Sequence, residues 1–177
     1  MSLWYARGMK YGALFFATAM LVTAGLHGRA NDGSVEPPEG TRIVIQAKGE
    51  GVQIYTCSEA QNSRKWVLKG PDAKLFDSRG NVIGTHFAGP TWKLNDGGTV
   101  QGVAVASRPS PDAASVAWLL LRAKEGTASG SLGNIAFIRR TETHGGVANP
   151  AECQDAGDIG KTVQIPYSAT YTFYSAK

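Results

Sequence analysis

At 177 residues the chain is long enough for one domain with a real core. Its 42% apolar and 18% charged residues exclude a disordered chain. The formal charge of +4 gives no case for a nucleic-acid or membrane-surface partner, because most of it sits in an N-terminal stretch that reads as a leader.

That leader has the composition of a signal peptide. Arg7 and Lys10 form a basic start, and Tyr11 to Gly25 is an apolar run of the length of a signal h-region. Gly28 and Ala30 put small residues at −3 and −1 of a cut before Asn31. A cleaved signal helix is therefore expected over 1–30. The run falls short of the roughly 20 apolar residues of a stable span, so no stable membrane span is expected after cleavage; an uncleaved anchor is the alternative. No cysteine follows the run to carry a lipid, and no Arg-Arg pair precedes it. Arg7, Lys10 and Arg29 would leave with the leader and no acid would, which lowers the 18 basic residues by three, to about one more than the 14 acids. The expected location is secreted or periplasmic.

Residues 31–41 are polar with Pro37 and Pro38 and read as a flexible lead-in. Arg42 to Gln46 and Val52 to Cys57 are two β-branched runs separated by Lys48-Gly49-Glu50-Gly51, which predicts a hairpin. In the second run Val52, Ile54 and Thr56 face one way, and Gln53, Tyr55 and Cys57 the other. Lys65 to Lys69 and Ala73 to Phe76 predict two more strands with a Gly70-Pro71-Asp72 turn between them, and Asp77 to Asn81 is dense turn chemistry. Val82 to Phe87 and Thr91 to Leu94 flank a Gly89-Pro90 break, and Asn95-Asp96-Gly97-Gly98 has the composition of a hairpin turn. Thr99 to Ser107 is a longer strand. Val116 to Leu121 is apolar without alternation, the pattern of a central strand buried on both faces; a short buried helix is the alternative. Ile135 to Thr141 is a further strand. At the C-terminus Tyr167, Ala169, Tyr171 and Phe173 share one face, opposite Ser168, Thr170, Thr172 and Tyr174.

About ten short strands, with no long helix and no internal repeat, predict an all-β fold. The expected form is a single antiparallel β-sandwich or barrel-like domain over 42–177. In an oxidising compartment Cys57 and Cys153, 96 positions apart, are expected to form a disulfide. Metal or redox thiols are the competing reading, and the pair lacks C-x-x-C spacing.

Several segments then resemble one family: Gly49-x-Gly51-Val-Gln-Ile-Tyr-Thr-Cys57, Gly84-x-His86-x-Ala-Gly-Pro-Thr-Trp92-x-x-x-Asp96-Gly97, Ala117 to Leu121, Ile138 to Thr141 with Gly145-Gly146 and Cys153, and Tyr167 to Tyr174. Together they resemble the domain-of-unknown-function 3455 family over nearly the whole mature chain. The resemblance implies a secreted or periplasmic, mainly-β domain and carries no established activity.

The densest chemistry lies in Gly84 to Gly98. The expected function is a small-molecule or glycan binding module, with His86, Trp92, Asp96 and Tyr55 as ligand-binding candidates and no cofactor. Trp92 is weighed as a stacking platform against a core residue. A metal-assisted enzyme using His86 and Asp96, with His144 as a third candidate, is one rival; a structural envelope protein without a pocket is the other. Arg139-Arg140 is weighed as an anion clamp; in a strand the two point to opposite faces, so at most one can belong to any site, and a solvated side chain is the favoured reading. Gly49-x-Gly51 lacks the third glycine of a dinucleotide fingerprint, and no G-x-S-x-G nucleophile elbow is present.

Overall fold

The computed structural model describes residues 34–60 and 63–177; the expected signal peptide, and the choice between cleavage and anchoring, lie outside them. Eight antiparallel strands follow one another in sequence order around a closed barrel. They are β1 (Arg42–Ala60), β2 (Ser63–Phe76), β3 (Val82–Phe87), β4 (Thr91–Leu94), β5 (Thr99–Arg108), β6 (Trp118–Ala123), β7 (Ile135–Gly145) and β8 (Thr162–Ser175). β8 returns to pair with β1 from Arg42↔Ser175 to Thr56↔Thr162 and closes the wall. The all-β, antiparallel expectation is met. Among the described residues no helix is long and apolar enough to cross a membrane.

The strands are eight rather than ten because two glycine-containing segments are strand, not turn. Gly49 lies inside β1, where a Cβ would sit 2.6 Å from Tyr171 Cε2. That glycine lets an inward ring lie flat against the neighbouring strand. Gly70-Pro71-Asp72 likewise runs on within β2. β3 begins pairing with β2 only at Asp72, so Pro71 stands where β2 is an edge on that side, the setting in which a sheet tolerates proline.

Alternation places one side of each strand in the core. Tyr167, Ala169, Tyr171 and Phe173 are all buried, as the C-terminal pattern predicts, and join Ala47, Leu75, Trp92, Val100, Leu121 and Ile138 in one cluster. One end of the barrel is filled. The β6–β7 connection carries Leu132, fully buried, on a 3-10 turn (Gly130–Leu132). It joins Leu94, Val100 and Ile135 in the same cluster, and Ser129 bridges to Thr99.

The other end is crossed by the β7–β8 connection. Cys57 and Cys153 are disulfide-bonded, with Cα atoms 5.6 Å apart. Tyr55 Oη donates to the Gly146 carbonyl at 2.7 Å and Trp66 Nε1 to the Asn149 carbonyl at 2.8 Å. Gly160 N–H donates to the Cys57 carbonyl at 2.9 Å. The β5–β6 connection joins this cap through a Ser115↔Gly146 bridge.

The uninterrupted apolar run of β6 is also explained. Leu121 belongs to the inner cluster, while Leu120 is buried outside it. Glu36 pairs with Arg139, the cross-strand partner of Leu120, and Val35 beside it is buried. The segment before β1 thus packs on the outer face of β6 and β7. Trp118, whose place in the apolar run suggests core, is only half-buried and lies under the Arg108 guanidinium.

Candidate functional site

The wall of the barrel has a gap. β3 and β4 are six and four residues long, far shorter than their neighbours. β3 pairs with β2 only from Asp72 to Phe76, and β4 with β5 only from Thr99 to Gln101. Above the Ala88-Gly89-Pro90 turn, β2 up to Pro71 and β5 beyond Gly102 therefore have no partner on their facing edges. Gly70, with φ +148, brings the turn against β2; a Cβ there would lie 2.6 Å from Ala88 Cβ.

Behind this gap is a cavity of about 300 Å³. Leu68, Lys69, Gly70 and Pro71 of β2, with Gly89 and Pro90 of the turn, stand at its mouth. Gln53 of β1, His86, Trp92, Leu119 and Leu121 of β6, Arg140 of β7 and Tyr171 form its walls.

His86 and Trp92 face each other across the β3–β4 hairpin. Their rings stack at 4.4 Å between centroids and 7° between planes. Tyr171 meets both rings edge-on, and Phe173 meets Trp92 at 90°. His86 Nδ1 lies 2.9 Å from the Thr91 carbonyl. A carbonyl can only accept, so Nδ1 carries the proton and Nε2 keeps its lone pair. Burial lowers the His86 pKa to about 3; the Thr91 bond opposes the shift and the Arg140 charge adds to it. His86 is a neutral acceptor at physiological pH.

Among the described residues, two polar side chains on the wall are unsatisfied. Gln53 is 1% exposed, and neither its amide oxygen nor its amide nitrogen has a hydrogen-bond partner. Trp92 is also 1% exposed, and its Nε1–H is unpartnered. Each such group costs about 1–3 kcal/mol of desolvation. Arg140 is held by two bonds, Nε and Nη2 donating to the Ala117 carbonyl at 3.0 and 2.8 Å. Burial raises the pKa of Tyr171, against the opposing Arg140 charge, so that phenol stays protonated beside the guanidinium.

The four ligand-binding candidates separate. His86 and Trp92 are together on the cavity wall. Tyr55 lines a different hollow, with Trp66, Val147 and Pro150, and spends its hydroxyl on Gly146. Asp96 is exposed in the β4–β5 turn, where its carboxylate accepts from Gly98 N–H at 2.8 Å. That bond, with one from the Ser131 hydroxyl, holds its pKa below the usual range. It lies four residues beyond Trp92, past the end of β4 at Leu94, in the turn at the far end of that strand from the Ala88-Gly89-Pro90 turn. His144 is exposed on β7, near Asp112 of the β5–β6 connection. Among the described residues no three His, Cys, Asp or Glu side chains converge on one point.

Gln53 is the wall residue that the sequence reading passes over, and Arg140 is the one of the arginine pair that faces the site. Gln53 shares a strand face with Tyr55 and Cys57, and burial of the cysteine would have marked that face as inward. Arg140 faces the cavity while Arg139 faces out to Glu36, the opposite orientation expected of adjacent strand residues.

The comparison with family models decides the relationship. The model for "Protein of unknown function (DUF3455)" matches residues 37–175. The chain belongs to the DUF3455 family. No curated protein and no solved structure matches it. In this DUF3455 chain the matched span takes in all the strands but the ends of the described segment, and with them every residue of the cavity wall.

Proposed function

We propose that this DUF3455 domain is an exported binding module that takes one small, largely apolar molecule inside its barrel through the gap between β2 and β5. The observation that carries this reading is the Gln53 amide, buried on the cavity wall with both atoms unpartnered. Native proteins rarely leave such groups unsatisfied without a functional reason. An eight-stranded barrel is also of the size that leaves room for side chains or one small ligand. The disulfide supports an oxidising compartment, secreted or periplasmic. Charged side chains such as Lys48, Glu50, Lys74 and Lys93 are exposed on the outer surface, unlike the apolar outer band of a membrane barrel.

A small molecule fits the site better than a glycan. Trp92 has His86 flat on one face and is almost wholly covered, so it offers no open platform for a sugar ring. Proton chemistry is also poorly served. A base with a pKa of about 3 has little driving force at neutral pH, whereas a fixed neutral acceptor serves recognition.

The test is thermal unfolding of residues 31–177 and of the Gln53→Leu variant, against a panel of apolar small molecules. If Gln53 is kept for a ligand, Gln53→Leu stabilises the free protein by about 1 kcal/mol or more by removing an unsatisfied buried amide. The variant then also loses the ligand-induced rise in melting temperature. A Gln53→Leu protein less stable than the parent, with no panel member shifting either protein, overturns the reading.

A further inference from the structure

The chemistry of the walls narrows the class of molecule. Arg140 is half-buried, and among the described residues no Asp or Glu lies within ion-pair distance of it. The neutral groups His86, Tyr55, Tyr167 and Tyr171 feel its charge, the Tyr171 hydroxyl is hydrogen-bonded to it, and the other charged residue lining the cavity is the cation Lys69. Even partial loss of hydration is unfavourable for a guanidinium without a counter-charge, and this one is fixed by two bonds to Ala117. Those bonds occupy the Nε–Nη2 edge, so the fork that remains for a carboxylate is the Nη1–Nη2 end. The Gln53 amide and Trp92 Nε1–H add unpartnered donors on the same walls. Leu119, Leu121 and Pro71 make the remaining surface apolar. At about 30 Å³ for each water-sized group, 300 Å³ holds roughly ten non-hydrogen atoms.

We propose that the cavity binds a small monocarboxylate with an apolar body, its carboxylate paired with Arg140 and its body lodged against Leu119 and Leu121. The inference rests on the binding-module reading above and deepens it by naming the ligand class. Atoms are neither exchanged nor transferred; the event is recognition alone.

Octanoate and 4-hydroxybenzoate, each of ten non-hydrogen atoms, are suitable probes, with octanamide and 4-hydroxybenzamide as their uncharged counterparts. Titration calorimetry and the tryptophan fluorescence of residues 31–177 provide the readout. At least one acid is expected to bind at least tenfold more tightly than its amide. Arg140→Gln is expected to erase that preference. Because Arg140 also holds Ala117, Gln53→Glu provides a second variant that leaves the guanidinium and its bonds in place. An added carboxylate on the wall should weaken the acid at least tenfold more than it weakens the amide. Equal binding of acid and amide to the parent protein overturns the carboxylate assignment and leaves the binding-module reading standing. So does displacement of the acid by equimolar inorganic phosphate, which would mark a bare anion site. Absence of binding by all four probes overturns the assignment; the panel and Gln53→Leu result above then decide the broader reading separately.

Discussion

His86 shows how a single side chain is fixed by its surroundings. Its ring is enclosed by Trp92 and Tyr171, its Nδ1–H is spent on Thr91, and burial holds its pKa at about 3. In the unfolded chain an ordinary histidine takes up a proton below about pH 6.5. The folded protein refuses that proton until about pH 3. Stability should therefore fall as pH drops from about 6.5 towards 3, by on the order of 5 kcal/mol across the full window, and be insensitive to this group above it. Urea unfolding from pH 7 to about pH 5.5 checks the upper part of the window, above the range in which carboxylates protonate. The His86→Gln variant should show a visibly flatter slope there. Nitrogen chemical shifts of the ring should report the neutral Nδ1–H tautomer throughout. Gln53, by contrast, has an amide whose needs the described fold leaves unmet.

At the scale of elements, the β3–β4 hairpin and the β7–β8 connection do most to shape the cavity. The hairpin is too short to fill the wall between β2 and β5, and the connection is bound over the barrel end by the Cys57–Cys153 bridge. Replacing both cysteines with serine should cost about 2–4 kcal/mol in chemical denaturation, in line with a long closed loop. Because the Tyr55 and Trp66 bonds remain, far-UV circular dichroism should still report a β fold. A Gly49→Ala substitution acts from the opposite wall. Its methyl would sit 2.6 Å from the Tyr171 ring, which overpacking puts at about 1–3 kcal/mol, and ligand affinity should fall with stability because Tyr171 is a cavity wall. These elements also mark how far the sequence could be read. The period-two pattern of Tyr167 to Phe173 gives the inner face of β8 correctly, since only burial of one side produces it. Gly49-Glu50-Gly51 and Gly70-Pro71 read as turns because their local chemistry is that of turns; the ring and the strand edge that occupy them come from residues distant in sequence. The same non-locality hides the site. His86 and Trp92 are hairpin neighbours and were legible together, whereas Gln53 and Arg140 reach the cavity from strands far away in the chain. Asp96 belongs to the same dense segment but lies one strand length off, because a hairpin sends its two turns to opposite ends.

For the molecule as a whole, closure joins Arg42 to Ser175, and every wall contact beyond the hairpins waits on it. Such non-local pairing places folding in the slow range of small domains, about milliseconds to seconds, which stopped-flow refolding with the disulfide intact would measure. Hydrogen exchange should be uneven. The β1–β8 seam should be most protected, while the facing edges of β2 near Leu68 and of β5 beyond Val103 should exchange fastest among the strands. A bound ligand should slow the β2 edge selectively. Leu132 and its neighbours pack the far end solid, and this has a bearing on what a guest could look like. Under the proposed binding reading the barrel is a cup rather than a conduit, with the gap between β2 and β5 as its doorway. A guest's inner end must therefore be compact and well matched, whereas any tail, label or polymer chain could be tolerated only where it trails out of the doorway.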